Sequence, residues 1–121
     1  MAAASRRELL GLFVLVCAVS GAASWWAGRT ERELGPRVAA LARPGDIRML
    51  SSATCPICAS ARFWFTAYRI PFSECQIETD AQCRVDFEAS GAPGTPLIRV
   101  RGRLMLGFDP RQLHAALAPA G

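Results

Sequence analysis

The sequence predicts an α/β domain with elements in the order β-α-β-α-β-β-α, preceded by one apolar N-terminal helix. Two observations carry this prediction. Residues 9–28 contain no charge, whereas residues 46–121 alternate strand-like and helix-like apolar patterns separated by Gly and Pro. At 121 residues the chain has room for only one small core. We therefore expect a tail at 1–8, an anchor at 9–28, a linker at 29–45 and the domain at 46–121.

The apolar segment predicts a single-pass transmembrane helix. Twenty helical residues span about 30 Å, which is the thickness of a bilayer core. Trp25 and Trp26 lie near its end, where membrane proteins place interfacial aromatic residues. A signal peptide cleaved after a small-residue site near Ala22 is the alternative. We expect the segment to remain as an anchor.

The arginines around this segment give conflicting indications of membrane orientation. Arg6 and Arg7 precede it and resemble a twin-arginine export signal. Five arginines follow it between residues 29 and 48, which favours the opposite orientation. We expect the domain on the periplasmic or extracytoplasmic side, because an apolar segment behind a short basic tail is the pattern that secretion machinery recognises.

The distribution of charge limits the possible partners of the protein. All 14 basic residues are arginine, and the net charge is +4. These arginines are scattered without an interleaved aromatic stripe, so no nucleic-acid partner is expected. We also expect a monomer.

Residues 29–45 mix charges with Gly and Pro and lack a strong apolar stripe, which predicts a tether with at most a helical stretch from Pro36 to Leu41.

The domain opens with a β-α-β pattern. Apolar alternation predicts a first strand over 47–51 and a second over 72–78. Between them, Pro56 suits the first position of a helix because its missing N–H is one of the unpaired donors there. Apolar residues at helical spacing extend that helix to about Arg69. The two strands should be parallel.

The second half of the domain predicts helix, hairpin and helix. Thr79 and Gln82 have the spacing of a capping box, so a helix should begin there and run to about Ser90. Residues 97–106 alternate around a turn glycine, which is typical of a β-hairpin. Asp109 precedes a proline and predicts the cap of the last helix.

Cys55 and Cys58 lie where the first predicted strand gives way to a helix. A helix N-terminus stabilises a thiolate, which is the form that attacks disulfides. We expect Cys55 to attack and Cys58 to resolve the mixed disulfide. A zinc half-site and an inert structural disulfide are the alternatives. Zinc is disfavoured because Cys75 and Cys83 are too far apart in sequence to supply the second half, so no metal is expected.

Three segments together resemble the glutaredoxin branch of the thioredoxin superfamily. They are Thr54 to Cys58 after a strand, Gly94 to Pro96 before the hairpin, and Gly107 to Asp109 before the last helix. The resemblance covers Asp46 to Leu117. It implies a thioredoxin-like fold with a mixed four-stranded sheet, and the activity of a thiol-disulfide oxidoreductase.

The resemblance also implies a substrate groove. In the family, a cis proline lies against the active-site disulfide, and the residue before it pairs with the substrate backbone. Here these positions are Pro96 and Thr95, and we expect Thr54 and Pro56 to contact substrate beside them. An ordinary turn proline is the alternative.

The sequence departs from the family where glutathione binds. Glutaredoxins usually carry a basic residue before the cysteine motif and a Gly-Gly pair followed by acidic residues after the hairpin. Neither Ser51 to Thr54 nor Leu106 to Pro110 matches. No cofactor is therefore expected, glutathione remains possible, and cysteine-containing proteins with a redox partner are the expected substrates. A redox-inert or metal-holding binding module of the same fold is the alternative function.

Cys75 and Cys83 form a second, looser pair. Cys75 shares a predicted strand face with Ile77, and Cys83 shares a helix face with Phe87. The helix must fold back over the sheet, so the two sulfurs can meet in a disulfide, which would suit an oxidising compartment. Two buried free cysteines are the alternative.

Overall fold

The computed structural model describes residues 3–119 and confirms the predicted order of elements. Residues 1–2 of the expected tail and 120–121 of the expected domain lie outside the described residues. The chain divides into two compact units, one ending at Glu33 and one beginning at Leu34. The helices and strands are α1 Arg6–Leu41, β1 Ile47–Ser51, α2 Pro56–Ala67, β2 Ser73–Gln76, α3 Ala81–Ser90, β3 Leu97–Val100, β4 Arg103–Leu106 and α4 Pro110–Leu117.

The first unit is the N-terminal part of α1. A reciprocal capping box begins it: Ser5 N–H donates to the Glu8 carboxylate at 2.9 Å, and Glu8 N–H donates to the Ser5 hydroxyl at 3.3 Å. The helix is long and apolar enough to cross a membrane. An N-terminal signal sequence would meet the same criterion.

The structure differs from the expected tether at residues 29–45. Helix α1 continues through Pro36 to Leu41, and the second unit begins inside it at Leu34. Leu34 and Val38 are buried one turn apart, and Val38 belongs to the main core of the domain. Two apolar residues one turn apart are too few to predict an amphipathic helix from sequence, but their packing against the domain stabilises the helix.

Arg101 holds the end of α1 on the domain. Its guanidinium donates to the carbonyl of Leu41 at 3.2 Å and to the carbonyl of Leu117 at 2.9 Å. It also pairs with the Asp46 carboxylate at 3.1 Å. The hydrogen bond from Arg101 lowers the pKa of Asp46. One cation thus satisfies carbonyls at the C-terminal ends of α1 and α4.

Gly35 is required where α1 meets α2. A Cβ atom at this position would lie 2.4 Å from ring atoms of Tyr68, whose ring packs on Trp64 at a centroid distance of 5.2 Å. We expect Gly35→Ala to lower the free energy of unfolding by about 1–3 kcal/mol, as overpacking does. Chemical denaturation of the full chain in detergent measures it. Gly28→Ala is the matched control, since a Cβ added at Gly28 would meet no atom within 4 Å beyond the adjoining backbone of its own helix. Equal midpoints for both variants would contradict the expectation.

The sheet has the strand order β2-β1-β3-β4. Strand β1 is parallel to β2 and antiparallel to β3, and β3 and β4 form the expected antiparallel hairpin. Strands β1 and β2 therefore end, and β3 begins, at one edge of the sheet, which we call the carboxyl edge. Loops at this edge are brought together by the topology alone.

Helices cover both faces of the sheet. Helices α2 and α4 and the end of α1 cover one face, with Phe65 at 0% exposure among the buried residues. Helix α3 covers the other face over a much smaller core. That smaller core contains Leu50, Cys83 and Leu97, with Cys75, Ile77, Phe87 and Ala92 packed against it.

Two predicted helix ends were wrong in detail. Helix α3 is capped by Asp80 and not by Thr79: the Asp80 carboxylate accepts from the N–H of Cys83 at 3.0 Å. Helix α2 ends before Arg69, which has a left-handed φ of 54°. The N–H of Ile70 then closes the turn on the Phe65 carbonyl at 2.9 Å.

Candidate active site

The first cysteine pair lies at the carboxyl edge, on the connection from β1 to α2. Cys55 is the N-cap of α2 and Pro56 occupies its first turn. Cys55 and Cys58 form a disulfide with a Cα–Cα distance of 5.2 Å. The local sequence favours this geometry because proline needs no acceptor for a missing N–H at a helix start.

The two cysteines differ in exposure and in contacts. Cys58 is fully buried, whereas Cys55 is partly exposed. The backbone N–H of Cys58 donates to the Cys55 sulfur at 3.1 Å. A donor in this position, at the positive end of the helix dipole, would stabilise a thiolate on Cys55 after reduction. The more exposed cysteine is therefore also the one suited to attack.

The other expected site residues lie at the same edge of the sheet as this pair. Thr54 and Pro56 flank Cys55 and are exposed. The Thr95–Pro96 peptide is cis, Thr95 is partly exposed and Pro96 is buried. Pro96 directly precedes β3, whose first residue pairs with the fourth residue of β1. The register thus brings Pro96 to the carboxyl edge beside the end of β1.

Glu78 is a residue of this edge that sequence reasoning missed. It lies two residues beyond β2, and its carboxylate accepts hydrogen bonds from the hydroxyl of Ser52 and from the N–H of Ala53. Both groups belong to the loop that leads from β1 to Cys55. The predicted parallel pairing of β1 and β2 could have indicated Glu78, because loops that follow two adjacent parallel strands meet at the same edge of the sheet.

Glu78 is ionised at neutral pH. The hydrogen bond from Ser52 is the main cause that lowers the pKa of Glu78, with smaller contributions from Ala53 and the nearby charge of Arg84. Below that lowered pKa the carboxylate gains a proton and becomes a weaker acceptor. The contact to the loop therefore persists through neutral and mildly acidic pH.

The second pair, Cys75 and Cys83, is joined in a disulfide with a Cα–Cα distance of 6.0 Å. It connects the edge strand β2 to α3. The guanidinium of Arg48 lies 3.7 Å from the Cys75 sulfur and pairs with Asp86 at 3.2 Å. Cys17 is exposed and unbonded. Within residues 3–119, no cluster of three or more His, Cys, Asp or Glu side chains could hold a metal ion.

Residues 47–105 match the family model described as Glutaredoxin. No curated protein matches the sequence. Among solved structures, a mutant of the thioredoxin-like protein BC3987 has 20% identity and a TM-score of 0.55, covering 60% of this chain and 95% of that chain. A glutaredoxin from Archaeoglobus fulgidus has 18% identity and a TM-score of 0.51, covering 61% and 87%. At these identities the structures show the fold alone.

The family match spans β1 to β4 and includes the Cys55–Cys58 pair and the cis Pro96. The solved structures share the arrangement of sheet and helices described above. Residues 47–105 are therefore glutaredoxin-like, and the domain that contains them has a thioredoxin-like fold.

Proposed function

We propose that this protein is a thiol-disulfide oxidoreductase that acts through Cys55 and Cys58 on cysteine-containing proteins at a membrane surface. One observation carries the proposal: the sulfur of Cys55, a partly exposed residue, accepts the Cys58 N–H at a helix N-terminus, while Cys58 is fully buried. Exposure suits Cys55 to intermolecular attack, and burial restricts Cys58 to attack within the chain.

The exchange proceeds in two balanced steps. The Cys55 thiolate attacks one sulfur of a substrate disulfide, a mixed disulfide forms, and the other substrate sulfur leaves as a thiolate. Cys58 then loses its proton and attacks the Cys55 sulfur, which releases the second substrate thiolate. Two electrons pass from the dithiol to the substrate, and the Cys55–Cys58 disulfide remains. The reverse sequence oxidises a substrate dithiol.

Charge at the site favours protein substrates over glutathione. Glutaredoxins usually hold the carboxylates of glutathione with a basic residue before the cysteine motif. Here the corresponding loop carries Ser52 and Ala53, and both donate to the ionised Glu78 carboxylate. A negative charge at this position repels an anionic tripeptide. A neutral or basic peptide segment would not meet that repulsion.

The proposed location is the extracytoplasmic face of a membrane. The N-terminal helix is long and apolar enough to serve as a single-pass anchor. The Cys75–Cys83 pair takes no part in the proposed exchange and is a disulfide, a bond that persists in oxidising compartments and is rare in the cytosol. The domain would then exchange disulfides with secreted or membrane proteins and with a redox partner.

A trapping experiment tests the function. In the full chain, Cys58→Ala should accumulate mixed disulfides between Cys55 and protein substrates, visible as adducts on non-reducing gels that disappear on reduction. Cys55→Ala should form none, because it lacks the attacking sulfur. If Cys58→Ala forms no adducts and both thiols of the wild type react slowly with alkylating agents, the domain is a redox-inert binding module.

A further inference from the structure

The loop before Cys55 is held from the neighbouring strand. The N–H of Ile77 donates to the Ser51 carbonyl at 3.0 Å, which fixes the end of β1 against the end of β2. Directly beyond this bond, Glu78 receives hydrogen bonds from Ser52 and Ala53. One carboxylate thus contacts two consecutive residues of a loop whose next-but-one residue is the attacking cysteine.

The two carboxylate oxygens of Glu78 have different roles. Oε1 accepts from both the Ser52 hydroxyl and the Ala53 N–H, whereas Oε2 accepts only from Ala53, at 3.3 Å. A single oxygen at the Oε1 position can therefore keep both contacts. The contact to the loop needs an acceptor at this place but does not need a charge.

The surroundings of Glu78 favour its ionised form. Arg84 on α3 contributes a favourable charge, and its Nε donates to the Ile77 carbonyl at 3.0 Å. Asp80, the nearest acidic residue along the chain, is occupied as the N-cap of α3.

We propose that Glu78 is a positioning residue: it fixes the loop from Ser52 to Thr54 so that the Cys55 sulfur stays within reach of the Cys58 N–H. This inference rests on the proposed redox role of Cys55. If the loop relaxes, Cys55 leaves the N-cap geometry and its sulfur loses the donor at 3.1 Å. The thiolate would then be less populated at neutral pH.

Three variants of the full chain in detergent separate position from charge. After reduction, the rate of Cys55 alkylation by iodoacetamide is followed by peptide mass spectrometry across pH. Glu78→Ala should slow alkylation at neutral pH by about fivefold, the equivalent of one lost hydrogen bond. Glu78→Gln, which keeps an acceptor oxygen, should stay within about twofold of wild type. Glu88→Ala removes an exposed carboxylate on α3, away from this loop, and should change nothing.

Two results would overturn the positioning role of Glu78. Loss of a negative charge alone favours a thiolate, so equal acceleration in Glu78→Gln and Glu78→Ala would mean that Glu78 acts by charge, and would overturn the positioning role. Unchanged rates in both variants would overturn it as well. Ser52→Ala, which removes one donor, should show a smaller slowing and provides the test if Glu78→Ala does not fold.

The proposed function fails in a distinguishable way. If wild-type Cys55 is alkylated no faster than a thiol in a short unstructured peptide, Cys55 is not an activated nucleophile, and both proposals are overturned together. If wild-type Cys55 reacts fast and the Glu78 variants match it, only the positioning role is lost.

Discussion

Cys55→Ser should slow the reaction of the reduced protein with a small disulfide by about a thousandfold or more, because a serine hydroxyl is a far weaker nucleophile than a thiolate. Cys58→Ser should leave the first attack within about fivefold of wild type. The backbone N–H that contacts the Cys55 sulfur belongs to residue 58 and survives the substitution. Substitution of the two cysteines is thus expected to have unequal effects on the rate of the first attack.

Stopped-flow measurement of the released thiolate gives both rates. Cys17→Ser is the matched control, since Cys17 is an exposed thiol outside both disulfides and lies in the N-terminal helix. Its removal should leave the rate unchanged. A Cys58→Ser variant as slow as Cys55→Ser would reverse the assignment of attacking and resolving sulfurs.

The same pair of variants bears on glutathione. In Cys58→Ser, the mixed disulfide on Cys55 can be released only by an external thiol. Turnover restored by glutathione would show that the tripeptide reaches the site despite Glu78. Turnover that stays lost would agree with a site for protein substrates.

The features that were predictable from sequence are local ones. Pro56 at a helix start and Cys55 one residue before it follow from the chemistry of helix ends, which a single sequence displays directly. The hairpin at β3 and β4 is likewise encoded by alternation around a turn. Its turn residues Arg101 and Gly102 both have positive φ values, of 47° and 84°.

The features that were missed depend on tertiary contact. Leu34 and Val38 are buried because they pack against the rest of the domain. In an isolated helix the same two residues would form no recognisable apolar face. Glu78 contacts Ser52 across 26 residues of sequence. Only the parallel pairing of β1 with β2 brings them together, and pairing register is not visible in composition or spacing.

The Cys75–Cys83 disulfide attaches helix α3 to β2, beside the Arg48–Asp86 ion pair and the packing of Phe87. The one buried residue of the helix is Cys83 itself, and the core beneath it is small. The bond closes a loop with a sequence separation of 8. Removing such a cross-link raises the entropy of the unfolded chain and should cost about 2.5 kcal/mol.

Unfolding in denaturant, with and without reductant, measures this cost. The background should be Cys55→Ser/Cys58→Ser, so that reduction breaks only the Cys75–Cys83 bond. We expect reductant to lower the free energy of unfolding by about 2–3 kcal/mol. Adding Cys75→Ala and Cys83→Ala should abolish the response to reductant, which identifies the bond as its source.

The size of this loss bears on where the domain can work. Small domains have net stabilities of only about 5–15 kcal/mol, so losing 2–3 kcal/mol to reduction removes a substantial share. A domain that depends on Cys75–Cys83 would be weakened in a reducing cytosol and fully stable in an oxidising compartment. Equal stability with and without reductant would mean that the domain does not depend on this bond and can work in either compartment. A dependence of the expected size would add stability to the arguments for an extracytoplasmic domain.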